Sequence, residues 1–312
     1  MNVGKKQAGS AQEKAKRQKT PRIGFHAPIT GGLHNALTKS KDLHCQTVQI
    51  FSRNPRGWKA KLISDDEVAL FKQVRRETKI SPVVIHANYL INLAAADPEM
   101  LQKSRDSFRE ELERGILLGA DHLVVHPGSA RGKCEADGIA TCAESLKIAS
   151  DGLDLSSFRI LLENTAGQGE CIGHRFEHLG QLLDACPELP LGVCFDTAHA
   201  FAAGYDIREE DGLHATMQAL DREVGTRSVH AIHFNDSRAP YHSRVDRHWH
   251  IGQGHIGWDA LRRVAQHRKL AHAAFILETP YIKPEDNKPN IEALRSFVTV
   301  LPSAVQKPHI LK

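Results

Sequence analysis

The chain has 312 residues, of which 41% are hydrophobic and 25% charged. That is a globular composition; it excludes wholesale disorder and allows one large domain or two small ones. No run of about 18 apolar residues occurs and no apolar stretch precedes a small-residue cleavage site, so neither a membrane span nor a secretory signal is expected. The net charge of +4 is uneven: Lys5, Lys6, Lys14, Lys16, Arg17, Lys19 and Arg22 stand against Glu13 alone, and the rest of the chain is net negative. The opening segment lacks apolar periodicity and is read as a disordered tail, either a solubilising extension or a loose arm for an anionic polymer. Six scattered cysteines without a C-x-x-C pair read as reduced thiols of an intracellular, cytoplasmic protein.

Short apolar runs rich in β-formers recur at Ile23–His26, Thr47–Phe51, Pro82–His86, Leu123–His126, Arg159–Glu163, Gly192–Asp196, Val229–His233 and Ala274–Glu278. Segments of helical spacing separate them. After the second run, Ser64-x-x-Glu67 is a capping box that opens a helix with Val68, Phe71 and Val74 on one face. Asp97-Pro98 precedes a stripe of Leu101, Phe108, Leu112 and Ile116. Phe176, Leu179 and Leu183 trace another; Trp258, Leu261 and Ala265 a short one; Ile291, Leu294 and Phe297 the last. This alternation predicts a parallel sheet covered by helices. Eight such units match a (β/α)8 TIM barrel, which typically needs about 250 residues. A doubly wound open sheet is the competitor, but it gathers ligands mainly at one switch point, whereas here most runs end in a polar residue. The expected organisation is a basic tail over 1–21 and one barrel domain over 22–312.

Every run except the second ends in a histidine or a carboxylate: His26, His86, His126, Glu163, Asp196, His233 and Glu278. In a barrel these ends share the C-terminal face, where active sites of this fold are built. One histidine at a strand end is ordinarily a structural hydrogen-bonding group; seven such ends together are not. Buried carboxylates side by side would repel each other, and divalent cations remove that conflict. Imidazole with carboxylate suits zinc, manganese or iron. Asp196-Thr-Ala-His199 and Asp246-Arg-His248 extend the set, the second pair pointing one way in extended chain. Leaving His26 aside, nine candidate ligands result: His86, His126, Glu163, Asp196, His199, His233, Asp246, His248 and Glu278. A catalytic zinc usually takes three protein ligands, so nine with one bridging carboxylate suffice for three ions. Clustered cations call for a substrate with several anionic oxygens, and phosphodiester hydrolysis is the leading chemistry. Helix N-termini on the same face would add positive charge near a phosphate.

Longer strings carry a resemblance. His86-Ala-Asn-Tyr-Leu-Ile-Asn-Leu-Ala94, Gly192-Val-Cys-Phe-Asp-Thr-Ala-His199 with Ala200-Phe-Ala-Ala-Gly-Tyr-Asp206, and Ile232-His-Phe-Asn-Asp-Ser with Ser243-Arg-Val-Asp-Arg-His248 are similar to the three signatures of endonuclease IV, the family 2 apurinic/apyrimidinic (AP) endonucleases. His126-Pro-Gly-Ser129 and Glu163-Asn-Thr-Ala-Gly-Gln-Gly169 also fit, and the likeness spans residues 22–302. The resemblance implies three Zn2+ per chain, with manganese or iron admissible at some positions. His86, His126 and Glu163 would hold one; Glu163 would bridge to a second, completed by Asp196, His233 and Glu278; His199, Asp246 and His248 would hold the third. It implies cleavage of double-stranded DNA on the 5′ side of an abasic sugar, leaving a 3′-hydroxyl and a 5′-deoxyribose phosphate, and trimming of blocked 3′ ends. Glu163 is expected to orient and help deprotonate the nucleophile, with no covalent protein intermediate and with the chain acting as a monomer.

An abasic site kinks and unstacks more easily than paired DNA. The resemblance assigns an intercalating role there to Arg56, Tyr89 and Leu90, and Arg53 and Lys59 are expected to meet phosphates. The plainer reading of Tyr89 and Leu90 is core packing at a strand–helix junction. Two departures stand out, Arg238 where the family has Lys and His242 where it has Gly. His242 is expected to alter its loop or to bring an extra imidazole to the third ion. The remaining histidines, His174 and His178 among them, are read as surface or supporting groups. A sugar isomerase of the same superfamily would use only Glu163, Asp196, His233 and Glu278. A non-catalytic zinc protein would not keep the full set.

Overall fold

The computed structural model describes residues 21–299. The tail read over 1–21 lies, apart from Pro21, outside the described residues, as does the chain from 300 onward. Eight strands form one parallel sheet: β1 (Arg22–Phe25), β2 (Val48–Phe51), β3 (Val83–His86), β4 (His122–Val125), β5 (Arg159–Glu163), β6 (Leu191–Asp196), β7 (Val229–His233) and, after a short antiparallel pair β8 (Asp236–Ser237) and β9 (His248–Trp249), β10 (Ala274–Leu277). Their order is β1-β10-β7-β6-β5-β4-β3-β2. The seam between β1 and β2 is closed by a parallel bridge between His26 and Gln49, by Ala27 N–H donating to Gln49 O at 2.8 Å and by Gln46 N–H donating to Ile23 O at 2.8 Å. The sheet therefore closes into a ring, as the polar strand ends predicted, and the open-sheet alternative falls.

Around the ring run α1 (His34–Asp42), α2 (Asp65–Thr78), α3 (Pro98–Leu118), α4 (Glu135–Ser150), α5 (Phe176–Ala185), α6 (Thr197–Ala203), α7 (Glu210–Glu223), α8 (Trp258–Ala265) and α9 (Lys288–Val298). The capping box of α2 forms as read: Ser64 Oγ accepts from Glu67 N–H at 3.3 Å, and Glu67 Oε2 accepts from Ser64 N–H at 3.1 Å. Asp97 caps α3 through Met100 N–H at 2.8 Å, with Pro98 in the first turn, where its missing N–H costs nothing. The predicted stripes face the sheet through Phe71, Phe108, Leu112, Phe176, Leu179, Leu261, Leu294 and Phe297, all buried; Trp258, read in the same stripe as Leu261, is instead exposed. Each of the buried side chains contributes about 1.5–3 kcal/mol. Inside the ring, Val84, Val124, Leu161, Cys194, Ala231 and Ile276 form a separate apolar layer, which makes a packed floor for the site above. Gly24 permits the close approach at the seam, since a Cβ there would stand 2.1 Å from Thr47 O. All six cysteines are free, and Cys45, Cys142, Cys186 and Cys194 are buried. No helix among the described residues is long and apolar enough to cross a membrane.

Candidate metal centre

The nine predicted ligands meet at the C-terminal mouth of the ring. His86, Glu163, Asp196 and His233 end their strands; His126 and Glu278 directly follow β4 and β10. Asp196 also caps α6, its Oδ1 accepting from His199 N–H at 2.6 Å, which fixes His199 in the first turn beside it. The β8–β9 pair carries His248 inward, and Asp246 is held by its N–H donating to Gln168 Oε1 at 3.0 Å.

Glu163 is the hub. Its Oε2 lies 3.0 Å from His126 Nε2 and 3.3 Å from His86 Nε2; its Oε1 lies 2.8 Å from His233 Nδ1 and 3.2 Å from His199 Nδ1. Glu278 Oε2 is 3.1 Å from His233 Nδ1. On the far side, His199 Nε2 is 3.2 Å from Asp246 Oδ1 and 3.3 Å from His248 Nε2, and His248 Nε2 is 3.4 Å from Asp196 Oδ2. Three-donor groups close enough for one ion include His86–His126–Glu163, His86–His233–Glu278 and Asp196–His199–His248.

The outer nitrogens of these rings decide what the inner ones can do. His86 Nδ1 donates to Ala87 O at 2.7 Å and His199 Nδ1 to Asn164 O at 2.9 Å. Each neutral ring then turns its Nε2 lone pair toward a carboxylate oxygen, an arrangement that needs either an added proton or a cation between the two. A donor set of five imidazoles and four carboxylates is what divalent zinc, manganese or iron takes, and the residues fit such ions. Asparagines set the carboxylates: Asn164 Oδ1 accepts from Asp196 N–H at 2.8 Å, Asn235 Nδ2 donates to Asp196 Oδ2 at 2.9 Å, and Asn235 Oδ1 accepts from Glu278 N–H at 2.8 Å. Asn164 follows β5 directly, and Asn235 follows β7 after Phe234; an amide so close behind a strand-end ligand was the signal available in the sequence.

In the metal-free chain protons would do the balancing. Burial would raise Glu163, but His233 and His126 hold it well below the usual carboxylate range. Asp246 and Glu278 are likewise depressed despite burial, chiefly by His199 and His233 respectively. Burial opposes charge on His199, yet Asp196 and Asp246 lift it well above the ordinary imidazole value; His86 rises through Glu163 against the same burial, and His233 is also lifted.

The centre opens into a cavity of about 740 Å³ whose lining includes Arg56, Tyr89, His126, Asp246 and His248. Tyr89 is 61% exposed, which overturns the core-packing alternative for it. Its ring meets Phe51 edge-on at 5.2 Å, and its N–H donates to Pro55 O at 3.1 Å, joining its loop to that of Arg56. Leu90 is half-buried and lines a smaller adjoining cavity with Asn92, His126 and Cys171. Arg53 is a correction. Its side chain is buried beneath the loop and pairs with Glu110 and Glu111, so it braces the loop and does not face a phosphate. Lys59 is exposed.

His242 alters backbone and not ligand number. Its φ of 56° is left-handed, and its ring lies over Gly204, where a Cβ would stand 2.9 Å from its Cδ2. Non-glycine residues in that region are strained by about 1–2 kcal/mol. His242→Gly is therefore expected to raise stability by about 1 kcal/mol and leave the reaction rate within about twofold. A drop in melting temperature would mean that packing over Gly204 outweighs the strain.

His174 and His178 are buried away from the surface, contrary to a surface reading, and face Glu135 in a second donor group. Arg175 already fills it, donating to Glu135 Oε2 at 3.0 Å. Gly173 N–H donates to His178 Nδ1 at 3.1 Å, so Nε2 carries the proton and faces Glu135 Oε2 at 3.3 Å; this group has its cation in Arg175 and His178 offers it no inward lone pair.

Fold and site together define a TIM barrel whose mouth gathers side chains of metal-ligand type. The xylose isomerase-like TIM barrel family matches residues 37–298. A protein of Solibacter usitatus named "Probable endonuclease 4" is 47% identical over 279 residues, 88% of this chain and 96% of its own. The crystal structure of endonuclease IV from Thermus thermophilus superposes with a TM-score of 0.79 at 41% identity, covering 89% of this chain and 99% of that one. The chain belongs to the endonuclease IV family of AP endonucleases. A D-tagatose 3-epimerase-like protein, 19% identical with a TM-score of 0.66 over 89% of this chain and 97% of its own, shares the fold alone.

Proposed function

We propose that this protein is a DNA-repair endonuclease that hydrolyses the phosphodiester on the 5′ side of abasic sites in duplex DNA, leaves a 3′-hydroxyl and a 5′-deoxyribose phosphate, and trims blocked 3′ ends. The carrying observation is the convergence of nine ligand-type side chains around Glu163 at an open mouth, where a sugar isomerase would use four in a closed pocket. The names of its relatives support the same reading. His86, His126 and Glu163 are assigned to one zinc, Glu163 with Asp196, His233 and Glu278 to a second, and His199, Asp246 and His248 to a third; manganese or iron can replace zinc at some positions. Ions held there lower the pKa of bound water and neutralise phosphate charge.

The protein's own groups do the rest. Glu163, ionised and fixed among imidazoles, accepts a hydrogen bond from the attacking water, which orients it and helps it lose its proton to solvent. Asp246 and His248 line the same cavity as Arg56 and Tyr89, where the scissile phosphate would lie. Tyr89 stacks into the space left by the missing base, with Leu90 behind it as a wedge, and Arg56 meets the backbone; the chain works as a monomer. Incubation with an abasic duplex, with and without a chelator, tests the reading. Incision that the chelator stops is expected, and incision indifferent to the chelator would sink it. Tyr89→Ala is expected to raise KM for that duplex by about 10–100-fold, the worth of one base–aromatic stack, with kcat changed less than about threefold. An unchanged KM would remove Tyr89 from lesion recognition.

A further inference from the structure

Six of the eight barrel strands carry six of the nine candidate ligands at or just past their ends, and His199, Asp246 and His248 come from the segments after β6 and β8; β1 and β2 deliver none of the nine. The two residues that bridge their seam, His26 and Gln49, nevertheless reach the centre. Gln49 is fully buried, from a strand whose Val48 and Ile50 join the core under the helices. Its Oε1 accepts from His233 Nε2 at 2.8 Å, and its Nε2 donates to Glu278 Oε1 at 2.6 Å and lies 3.0 Å from His26 Nδ1. The opposite amide orientation would set a carbonyl against the Glu278 carboxylate and an N–H against the imidazole N–H, so the partners themselves dictate which end points where.

We propose that Gln49 is a positioning residue for the second cation, selecting the nitrogen of His233 and the oxygen of Glu278 that face it. The inference rests on the metal-centre reading above. With His233 Nε2 carrying the proton and bonded to Gln49, the Nδ1 lone pair is the one left to the centre, 2.8 Å from Glu163 Oε1. With Glu278 Oε1 tied to Gln49, Oε2 is the free oxygen, 3.1 Å from the same Nδ1. One neutral side chain thus orders two ligands without adding charge. A glutamate at 49 would set a further carboxylate against Glu278, and an apolar residue would leave the buried His233 N–H without a partner and Glu278 Oε1 held by His26 Nδ1 alone, at 3.2 Å. Partners of this kind typically carry 10–100-fold in metal affinity.

The test uses the full-length chain, zinc and the near-isosteric, apolar Gln49→Met. In a chelator-competition titration the wild type is expected to bind three zinc ions; Gln49→Met should keep two at wild-type affinity and hold the remaining one about 10–100-fold more weakly. The zinc-loaded wild type should also show a slowly exchanging, downfield imidazole N–H from His233 in its proton NMR spectrum, absent from Gln49→Met. Three unchanged affinities in the variant, or no such resonance in the wild type, would overturn the inference while leaving the metal centre standing. Zinc failing to bind the wild type would overturn the centre and Gln49's role together. If Gln49→Met does not fold, the wild-type resonance decides alone.

Discussion

Glu163→Gln is expected to lower kcat for abasic-site incision by at least about 10³-fold and to leave the barrel folded. The glutamine has nearly the same shape, so the floor of Val84, Leu161 and Cys194 need not move. What changes is charge at the hub. The carboxylate lies within 3.3 Å of nitrogens from His86, His126, His199 and His233, and an amide N–H₂ in its place faces at least one of them in the wrong sense. Two of the three assigned ions would share this side chain, so both would loosen at once, and the carboxylate that orients the attacking water is gone. The measurement is single-turnover incision of an abasic duplex beside metal content of the same sample. Incision at the wild-type rate by Glu163→Gln would remove Glu163 from the chemistry.

Chelation is expected to abolish incision and to change how stability responds to pH. In the metal-free chain, His86, His199 and His233 bind protons more tightly than an unfolded imidazole does. Their stabilisation is complete below about pH 6.5 and is lost as pH rises through their raised values. Glu163, Asp246 and Glu278 are depressed, so their stabilisation is complete above about pH 4.5 and is lost as pH falls. The chelated protein should melt highest between those limits and weaken above about pH 6.5. The zinc-loaded chain should not weaken over that range, because ions displace the same protons and bind better as pH rises. Melting curves from about pH 5 to 9, with chelator and with zinc, check this. Parallel curves would mean that the imidazole protons and the ions do not compete.

The ring and its ligand rim were legible because a polar residue closing a β-branched run is out of place in a parallel sheet. Each one but His26 marked both a strand end and a candidate ligand, and His126 and Glu278 lie directly after the strands they were assigned to. Helices without a stripe of large apolar residues were harder to read. α4 buries Ile139 and Leu146, seven residues apart, and the rest of its buried face is made of Gly138, Cys142, Ala143, Ser145, Ala149 and Ser150, small residues that do not announce it. α6 is buried from Thr197 to Ala202 and has no polar side to set a period. α1 buries only Ala36, Leu37 and Ser40. α7 alone of these four carries a readable stripe, Leu213, Met217 and Leu220. Arg53 misled for a different reason: a cation in a short polar loop resembles a phosphate contact, and nothing local announces that Glu110 and Glu111 fold in beneath it. Gln49 was hidden inside its strand, two residues before the end where ligands were sought.

The most direct test of the centre is anomalous diffraction at the zinc absorption edge from crystals of the zinc-loaded chain. Three peaks are expected at the barrel mouth, two of them flanking the Glu163 carboxylate and one among His199, Asp246 and His248. No peak beside Glu163, or zinc seated instead at Glu135, His174 and His178, would contradict the account.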